Sequence, residues 1–473
     1  MSEHFDIAVI GAGPGGYVAA LKAAQLGAKT AIVEKHYLGG TCLNYGCIPS
    51  KALLSSAELI HHIRHADNWG VKVAGEVSFD WPAIQKRKDK VISQLRGGIG
   101  ALFKGRKVTA FQGTATLNGP GKIAITSENS PAQDISADNI ILATGSSPIR
   151  IPGWPEDPNF VCTSDEAVHW KDLPKRLLIV GGGVIGCEFA CMCQAFGVEV
   201  TIVEMLPALL GVMDRDLGNG LLAAFKKRNI TCHLDTKVQE MKLAGNVVKA
   251  TLSNGTTLET DRVLVATGRK PNTRNLGLET VGIEPTQRGF IKVDDFMQTG
   301  VKGYYCIGDA NGRCLLAHAA SAHGVAAVEN ALGHKKEFTA PVPAAVYTFP
   351  EIAAVGYSEQ EARDAGFPIS IGRFPLSSLG KAMATNHTEG FAKVIRNRET
   401  DEILGVHMFG HNATECIAAA GALMHTKARG EEFAEVVFAH PTIGESLKES
   451  AEDALGAGLH MAPRKLIKIT AGA

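Results

Sequence analysis

Twice in this chain a short apolar strand runs straight into a cluster of glycines, and the second copy repeats the plan of the first. Phe5-Asp6-Ile7-Ala8-Val9-Ile10 leads into Gly11-Ala12-Gly13-Pro14-Gly15-Gly16, and Arg176-Leu177-Leu178-Ile179-Val180 leads into Gly181-Gly182-Gly183-Val184-Ile185-Gly186. Each glycine turn opens a small-residue helix, followed by a second strand, Thr30-Ala31-Ile32-Val33 or Val200-Thr201-Ile202-Val203, that ends in an acid. From first glycine to acid the interval is 34 − 11 = 23 in one copy and 204 − 181 = 23 in the other. Such a turn lets backbone N–H groups approach a pyrophosphate at the positive end of a helix. The acid, Glu34 or Glu204, stands where it accepts hydrogen bonds from a ribose hydroxyl. One glycine motif alone is weak; two that agree in context and spacing predict two bound dinucleotides.

Asn139-Ile140-Ile141-Leu142-Ala143-Thr144-Gly145 and Arg262-Val263-Leu264-Val265-Ala266-Thr267-Gly268 read as buried strands ending in the same tight turn. Gly303-Tyr304-Tyr305-Cys306-Ile307-Gly308-Asp309 is a further apolar strand that delivers an acid to its end. An aspartate there is commonly a turn residue or cap; beside a flavin it would hold ribityl hydroxyls. After about residue 340 strands and helices alternate without phosphate turns, which predicts a separate α+β domain. A chain of 473 residues exceeds a single core, so several domains are expected.

Between the first unit's second strand and its return lies Cys42-Leu43-Asn44-Tyr45-Gly46-Cys47. Thiols at i and i+5 of an ideal helix stand ~8.6 Å apart, whereas a disulfide needs α-carbons at about 4.4–6.8 Å. The pair closes only if the chain bends, and Gly46 with Pro49 offers the bend. Two buried free cysteines remain the alternative. No His or Cys pair nearby completes a zinc site. Because the pair follows the first nucleotide unit, that unit's ligand is expected to exchange electrons with sulfur. A flavin links hydride chemistry to a thiol couple, so FAD is assigned to the first unit and a nicotinamide to the second. Glu204 opposes a 2′-phosphate, and Met205-Leu206-Pro207-Ala208 offers no arginine, so the second cofactor is read as NAD.

Composition excludes little else. Forty-eight basic residues balance forty-eight acidic ones, which favours neither nucleic acid nor an anionic membrane as partner. The N-terminus enters a strand within a few residues, leaving no room for a secretory leader, and a cytoplasmic setting is expected. There a disulfide is more often catalytic than structural. The stretch from Gly405 to Thr426 has few charges but contains His407, His411, Glu415 and His425, and reads as a buried helix with its cap, not a membrane span. No metal ligands are proposed. His440-Pro441-Thr442-Ile443-Gly444-Glu445 admits two readings: a loop capped onto a helix by Thr442 or Ser446, or a general base held by a carboxylate.

Together these pieces resemble the pyridine nucleotide–disulfide oxidoreductases over essentially the whole chain. Gly39-Gly40-Thr41-Cys42 through Cys47-Ile48-Pro49-Ser50-Lys51 is similar to the family's redox segment, and its ending looks more like the lipoamide branch than the glutathione branch. The resemblance implies an α/β fold with two Rossmann-like dinucleotide domains and a C-terminal α+β dimerisation domain. Residues 1–150 would bind FAD and carry the redox disulfide, 151–278 would bind NAD, 279–345 would complete the FAD site, and 346–473 would form the dimer interface. The implied reaction is oxidation of a protein-bound dihydrolipoyl group by NAD, through the disulfide and FAD. The protein would be a component of a 2-oxoacid dehydrogenase or glycine cleavage complex, docking onto its acyltransferase core and lipoyl domains. Cys42 would be the interchange thiol, Cys47 the thiolate against the flavin, and His440, oriented by Glu445, the base that serves the partner chain's cysteines. Lys51 and Glu188 would pair near the flavin's reactive nitrogen. Besides Gly11, Gly13, Gly16 and Glu34, the flavin neighbours would be Gly40, Thr41, Lys51, Ala115, Thr144, Gly145, Ser146, Asp309 and Ala317. NAD would meet Gly181, Gly183, Gly186, Glu204, Val238 and Gly268.

Four residues depart from the family pattern. Tyr45 replaces a smaller aliphatic residue, His323 stands where a Glu usually precedes Gly324, and Ile443-Gly444 replaces Leu-Ser. These put substrate preference in question more than reaction class. The competing expectations are a reductase of another disulfide or a metal ion, and a flavoprotein whose main role is to bind an assembly. The C-terminal tail 461–468 carries no cysteine, which argues against the metal-ion version.

Overall fold

A computed structural model describes residues 3–128 and 130–461 of the chain; most of the tail, 462–468 included, lies outside them. Phe5, Ile7, Ala8 and Val9 have no exposed surface, as expected of a strand covered on both faces of a parallel sheet. The strand Glu3–Ile10 pairs in parallel with Thr30–Glu34 and with Ser130–Leu142. Thr109–Gln112 extends the sheet on one side, and two antiparallel strands, Lys122–Ser127 and Thr114–Leu117, extend it on the other. Tyr304–Cys306 adds a further parallel strand beside Ser130–Leu142. The following helix, Ala317–Ala331, crosses Pro14–Gln25 so closely that a Cβ on Gly324 would lie 2.6 Å from the Gly15 carbonyl oxygen. Residues between 279 and 345 are thus built into the first unit.

The second unit is a five-stranded parallel sheet in the order Thr231–His233, Glu199–Val203, Arg176–Val180, Arg262–Val265, Val161–Thr163. A three-stranded antiparallel sheet, Val238–Ala244 to Thr260, is appended to it. The two nucleotide units are stitched together by Ser146–Pro148 pairing with Arg269–Pro271.

The C-terminal unit is a five-stranded antiparallel sheet faced by helices that include Ala413–His425 and Glu445–Leu455. Here the expected buried helix over Gly405 to Thr426 is two elements. Ile403–Phe409 is a fully buried strand, and the helix begins only at Ala413. Gly410, at φ 138, turns the chain between them. No helix among the described residues is long and apolar enough to cross a membrane.

One apolar core joins the units. It runs from Leu53, Leu54 and Ile60 through Phe189 and Met192 to Val346, Ile352 and Phe391. The helix Cys47–Arg64, which carries the second redox cysteine, therefore sits where all three units meet.

Candidate active site

The bend needed between the two cysteines is a break between helices. Gly40–Asn44 forms a short helix, Tyr45 and Gly46 leave it, and Cys47 starts the helix Cys47–Arg64. Gly46 makes the bend, at φ −130 and ψ −108, where a Cβ would press to 3.2 Å on the Thr41 carbonyl oxygen. Pro49 lies inside the first helical turn, where its missing N–H costs nothing, so it starts the helix and does not bend the loop. Asn44 locks the short helix by donating to Leu38 O and Gly40 O, while Arg96 donates to its Oδ1 at 2.6 Å.

The two thiols meet. The hydrogen bond from Cys42 lowers the Cys47 pKa, burial works against it, and the Lys51 ammonium reinforces it. Cys42, whose proton is held in that bond and which is itself buried, is pushed up. In the reduced pair these effects favour negative charge on Cys47 over Cys42. The place of Cys47 at a helix N-terminus favours the same charge.

Lys51 lies one turn along the same helix. Its ammonium contacts both Glu188 oxygens, at 2.8 and 2.7 Å, although the residues are 137 positions apart. Glu188, on the helix Val184–Ala195 of the second unit, is buried, with its side chain only 5% exposed. A third group, which the sequence reading missed, completes the cluster. The Tyr347 N–H donates to Glu188 Oε1 at 3.0 Å, and the Tyr347 ring lies under the Lys51 ammonium at 4.6 Å.

Of the first, third and sixth residues of each glycine turn, the outer two glycines are demanded by the protein and the middle one is left for something else. A Cβ on Gly11 would stand 2.4 Å from Ala143 O, and one on Gly16 would stand 1.9 Å from Gly11 O. Gly181 and Gly186 face the equivalent clashes, at 2.4 and 2.0 Å. A Cβ on Gly183 would meet nothing within 4 Å, and one on Gly13 would meet only Gly40, at 3.9 Å. Gly13 and Gly183 are also the N-caps of Pro14–Gln25 and Val184–Ala195, with no side-chain cap and no acid in the first turn. Open space before uncapped N–H groups is what a pyrophosphate requires.

The acids close both turns alike. Glu34 accepts from Ala12 N–H and His36 N–H, each at 2.7 Å; Glu204 accepts from Gly182 N–H at 2.6 Å and Leu206 N–H at 2.8 Å. Gly40, at φ 56, packs its backbone onto Gly13, so the redox segment, Thr41 included, borders the first turn.

Farther along the first cleft, Ser146 donates to Asp309, and Arg269 donates to Ser146 Oγ at 2.7 Å and to Ser146 O at 2.8 Å. Thr144 has a buried hydroxyl with no partner among the described residues, just before Gly145 at φ 67. An orphaned donor beside an open phosphate turn fits a bound polar ligand. Ala115 is buried on the strand Thr114–Leu117, and Ala317 begins the helix that crosses Pro14–Gln25. In the second unit Gly268, at φ 129, follows the return strand, and Val238 opens the appended sheet.

His440 stands apart from this cluster within one chain. Its ring, 78% exposed, is held through Nδ1 by Glu445 Oε1 at 2.8 Å. Glu445 Oε2 accepts from Thr442 N–H at 2.8 Å. Burial would raise the Glu445 carboxyl, but the Thr442 N–H, His440 and His460 outweigh it and hold the carboxyl low. Neither Thr442 nor Ser446 caps the helix: Gly444 is the N-cap, and both hydroxyls donate to carbonyls instead. Of the departures, Tyr45 sets its ring edge-on to His169 at 5.8 Å. His323 is buried edge-on against Phe338 at 4.5 Å, and burial, aided by Arg313, pushes it down to about 4, so it is neutral at pH 7.

Residues 5–324 match the family model for pyridine nucleotide-disulphide oxidoreductases, and residues 342–451 match the dimerisation domain of the same family. The chain belongs to this family and is an oxidoreductase that forms a homodimer. The dihydrolipoyl dehydrogenase of Chlamydia trachomatis is 41% identical, across 98% of this chain and all of that one. That of Bacillus subtilis is 39% identical, across 97% of this chain and all of that one. Among solved structures, LpdA from Mycobacterium tuberculosis superposes with a TM-score of 0.89 at 28% identity, covering 95% of this chain and 99% of that one. The cofactors are FAD and NAD, and the two open glycine turns and the orphaned Thr144 hydroxyl fit them.

Proposed function

We propose that the chain is a dihydrolipoyl dehydrogenase, which oxidises protein-bound dihydrolipoyl groups and reduces NAD, and that Cys42 and Cys47 form its redox-active disulfide. The observation that carries this is the meeting of the Cys42 and Cys47 thiols at the start of the helix that also holds Lys51, whose ammonium is fixed on Glu188 beside them.

In the oxidised enzyme one substrate thiolate attacks Cys42 Sγ, breaking the Cys42–Cys47 bond and releasing Cys47 as thiolate. The partner's His440 takes the proton of the second substrate thiol through Nε2. Its Nδ1–H stays on Glu445, which fixes the tautomer and steadies the imidazolium. That second sulfur then attacks the mixed disulfide, closes the lipoyl ring and expels Cys42, which regains the proton and donates it toward Cys47. Lys51 and the helix N-terminus hold the Cys47 charge. When bound, FAD would supply the two-electron relay between the cysteine pair and NAD. Gly11, Gly13, Gly16, Glu34 and the Ser146–Asp309 pair would hold FAD, with Gly40, Thr41, Ala115, Thr144, Gly145 and Ala317 around it. Gly181, Gly183, Gly186, Glu204, Val238 and Gly268 would hold NAD.

His440 serves the cysteines of the other subunit, which accounts for its exposure in a single chain. The four segments 1–150, 151–278, 279–345 and 346–473 are read as FAD, NAD, central and interface domains. Lipoyl domains and the acyltransferase core of a 2-oxoacid dehydrogenase or glycine cleavage complex are its partners, and the cytoplasm its location. The test is turnover: dihydrolipoamide with NAD should be consumed, and oxidised glutathione with NADPH should not. The reverse preference would reject the assignment.

A further inference from the structure

We propose that Tyr347 is a positioning residue that holds the Lys51–Glu188 pair in place and so ties the dimerisation domain to the flavin face of the active site. The inference rests on the reading that this pair borders FAD.

Tyr347 follows directly on Ala344–Val346, the first strand of the C-terminal sheet. Its N–H donates to Glu188 Oε1 at 3.0 Å, while its ring lies 4.6 Å from the Lys51 ammonium. Both members of the ion pair are thus touched by one residue of a different domain. Two positions on, the Phe349 N–H donates to Cys191 Sγ at 3.2 Å. Cys191 lies three residues after Glu188 on the same helix, so the segment grips that helix at two points on one face. Arg228 closes the grip from the other side, with its guanidinium 5.3 Å from the Phe349 ring centre and Nη1 3.3 Å from Cys191 Sγ. The gripped helix begins at Gly183, the open phosphate turn of the second unit.

Each contact has a physical consequence. A buried carboxylate needs its lone pairs filled, and the Tyr347 N–H fills one that Lys51 leaves. The negative face of the ring gives the ammonium a fixed seat. Lys51 is 31% exposed and can otherwise swing toward water. A fixed positive charge beside a group that gains negative charge on reduction stabilises the reduced form without reorganisation. The Tyr347 ring therefore raises the flavin's tendency to be reduced, through Lys51 and without touching the flavin itself.

The experiment compares Tyr347→Leu, Tyr347→Phe and Lys51→Met as FAD-loaded dimers, reading the flavin midpoint potential by anaerobic dye equilibration. Tyr347→Leu should move the two-electron equilibrium about tenfold toward the oxidised flavin, about 30 mV lower. Tyr347→Phe, which keeps the ring, should restore the parent potential. In steady state the Leu variant should lose kcat while KM for dihydrolipoamide holds. If the Leu protein sheds FAD, Tyr347→Met, close in volume to Leu, answers the same question. A Leu or Met variant at the parent potential, or a Phe variant shifted as far as Leu, overturns the inference while leaving the dehydrogenase reading intact. A Lys51→Met protein at the parent potential overturns the reading of Lys51 as a flavin neighbour, and the inference with it.

Discussion

Glu445 divides its two oxygens between two tasks. Oε1 takes the Nδ1–H of His440, and Oε2 takes the N–H of Thr442. The first task turns the imidazole so that Nε2 carries the free lone pair; the second anchors the loop to its helix. A Glu445→Gln substitution keeps an acceptor for Thr442 but removes the charge that steadies an imidazolium. Turnover of dihydrolipoamide should fall about 10²-fold, with little change in Tm; Glu445→Ala should lose the rate and about 1 kcal/mol of stability as well. Stopped-flow rates and thermal melts on both variants check this. Equal rates for Gln and parent would remove Glu445 from the proton path. The carboxyl is held low in the folded protein, so its stabilisation is complete above the ordinary carboxylate range and is lost as pH falls through the lowered value. At this scale the sequence was informative where chemistry is local. Two cysteines five apart and a histidine five before a glutamate can be read from spacing, because their contacts close within one loop. Arg269 and Tyr347 could not, because nothing near them in the chain marks what they touch.

The joint between the second nucleotide unit and the C-terminal sheet shows what elements contribute. Lys393, on the strand Phe391–Asn397, has a side chain 2% exposed and contacts Asp214 at 3.1 Å, Asp216 at 3.0 Å and Glu359 at 2.9 Å. Asp214 is also the N-cap of Arg215–Lys227, accepting from Asp216 N–H. Removing the ammonium leaves the buried Asp214 carboxylate facing two partly exposed ones without a counter-charge, so Lys393→Met should cost about 3–5 kcal/mol, measured by chemical unfolding. Burial opposes both charges, yet the partners prevail: Asp214 and Glu359 are held low and Lys393 is held high. The carboxylates' share of stability is therefore lost as pH falls through their lowered values, and the lysine's share only as pH rises past its raised one. A Lys393→Met protein as stable as the parent would show that the network adds nothing. The nucleotide units were legible because glycines, apolar strands and a terminal acid are needed in a fixed order. Lys393 reads in sequence as an alternating polar residue of a strand, and only the packing of another unit against that strand buries it. The same limit explains Gly405 to Thr426, where a run with few charges fits helix and buried strand alike, and Gly410 decides where one stops.

At the scale of the whole molecule, the proposed site needs two chains. His440 is exposed and bonded to no cysteine of its own chain, whereas the cysteines, Lys51 and Glu188 are assembled within one. Mixing Cys47→Ser with His440→Ala protein, after dissociation and reassociation, should recover about a quarter of the parent's sites. With equal amounts about half the dimers are mixed, and each holds one site with both groups intact. Verified mixed dimers without activity would confine His440 to its own chain. Two nucleotide units followed by a separate C-terminal domain were legible in sequence; that one histidine would serve the other subunit is implied by the family resemblance alone, since a single chain's spacing cannot show it. The most direct test of the whole is an anaerobic titration of the FAD-loaded dimer with dihydrolipoamide, followed in the visible. The first two electrons per site should produce a long-wavelength band from the Cys47 thiolate against oxidised flavin, a band absent from Cys47→Ser and lost as acid protonates that sulfur. Direct bleaching of the flavin with no such band would contradict the passage of electrons through the cysteine pair.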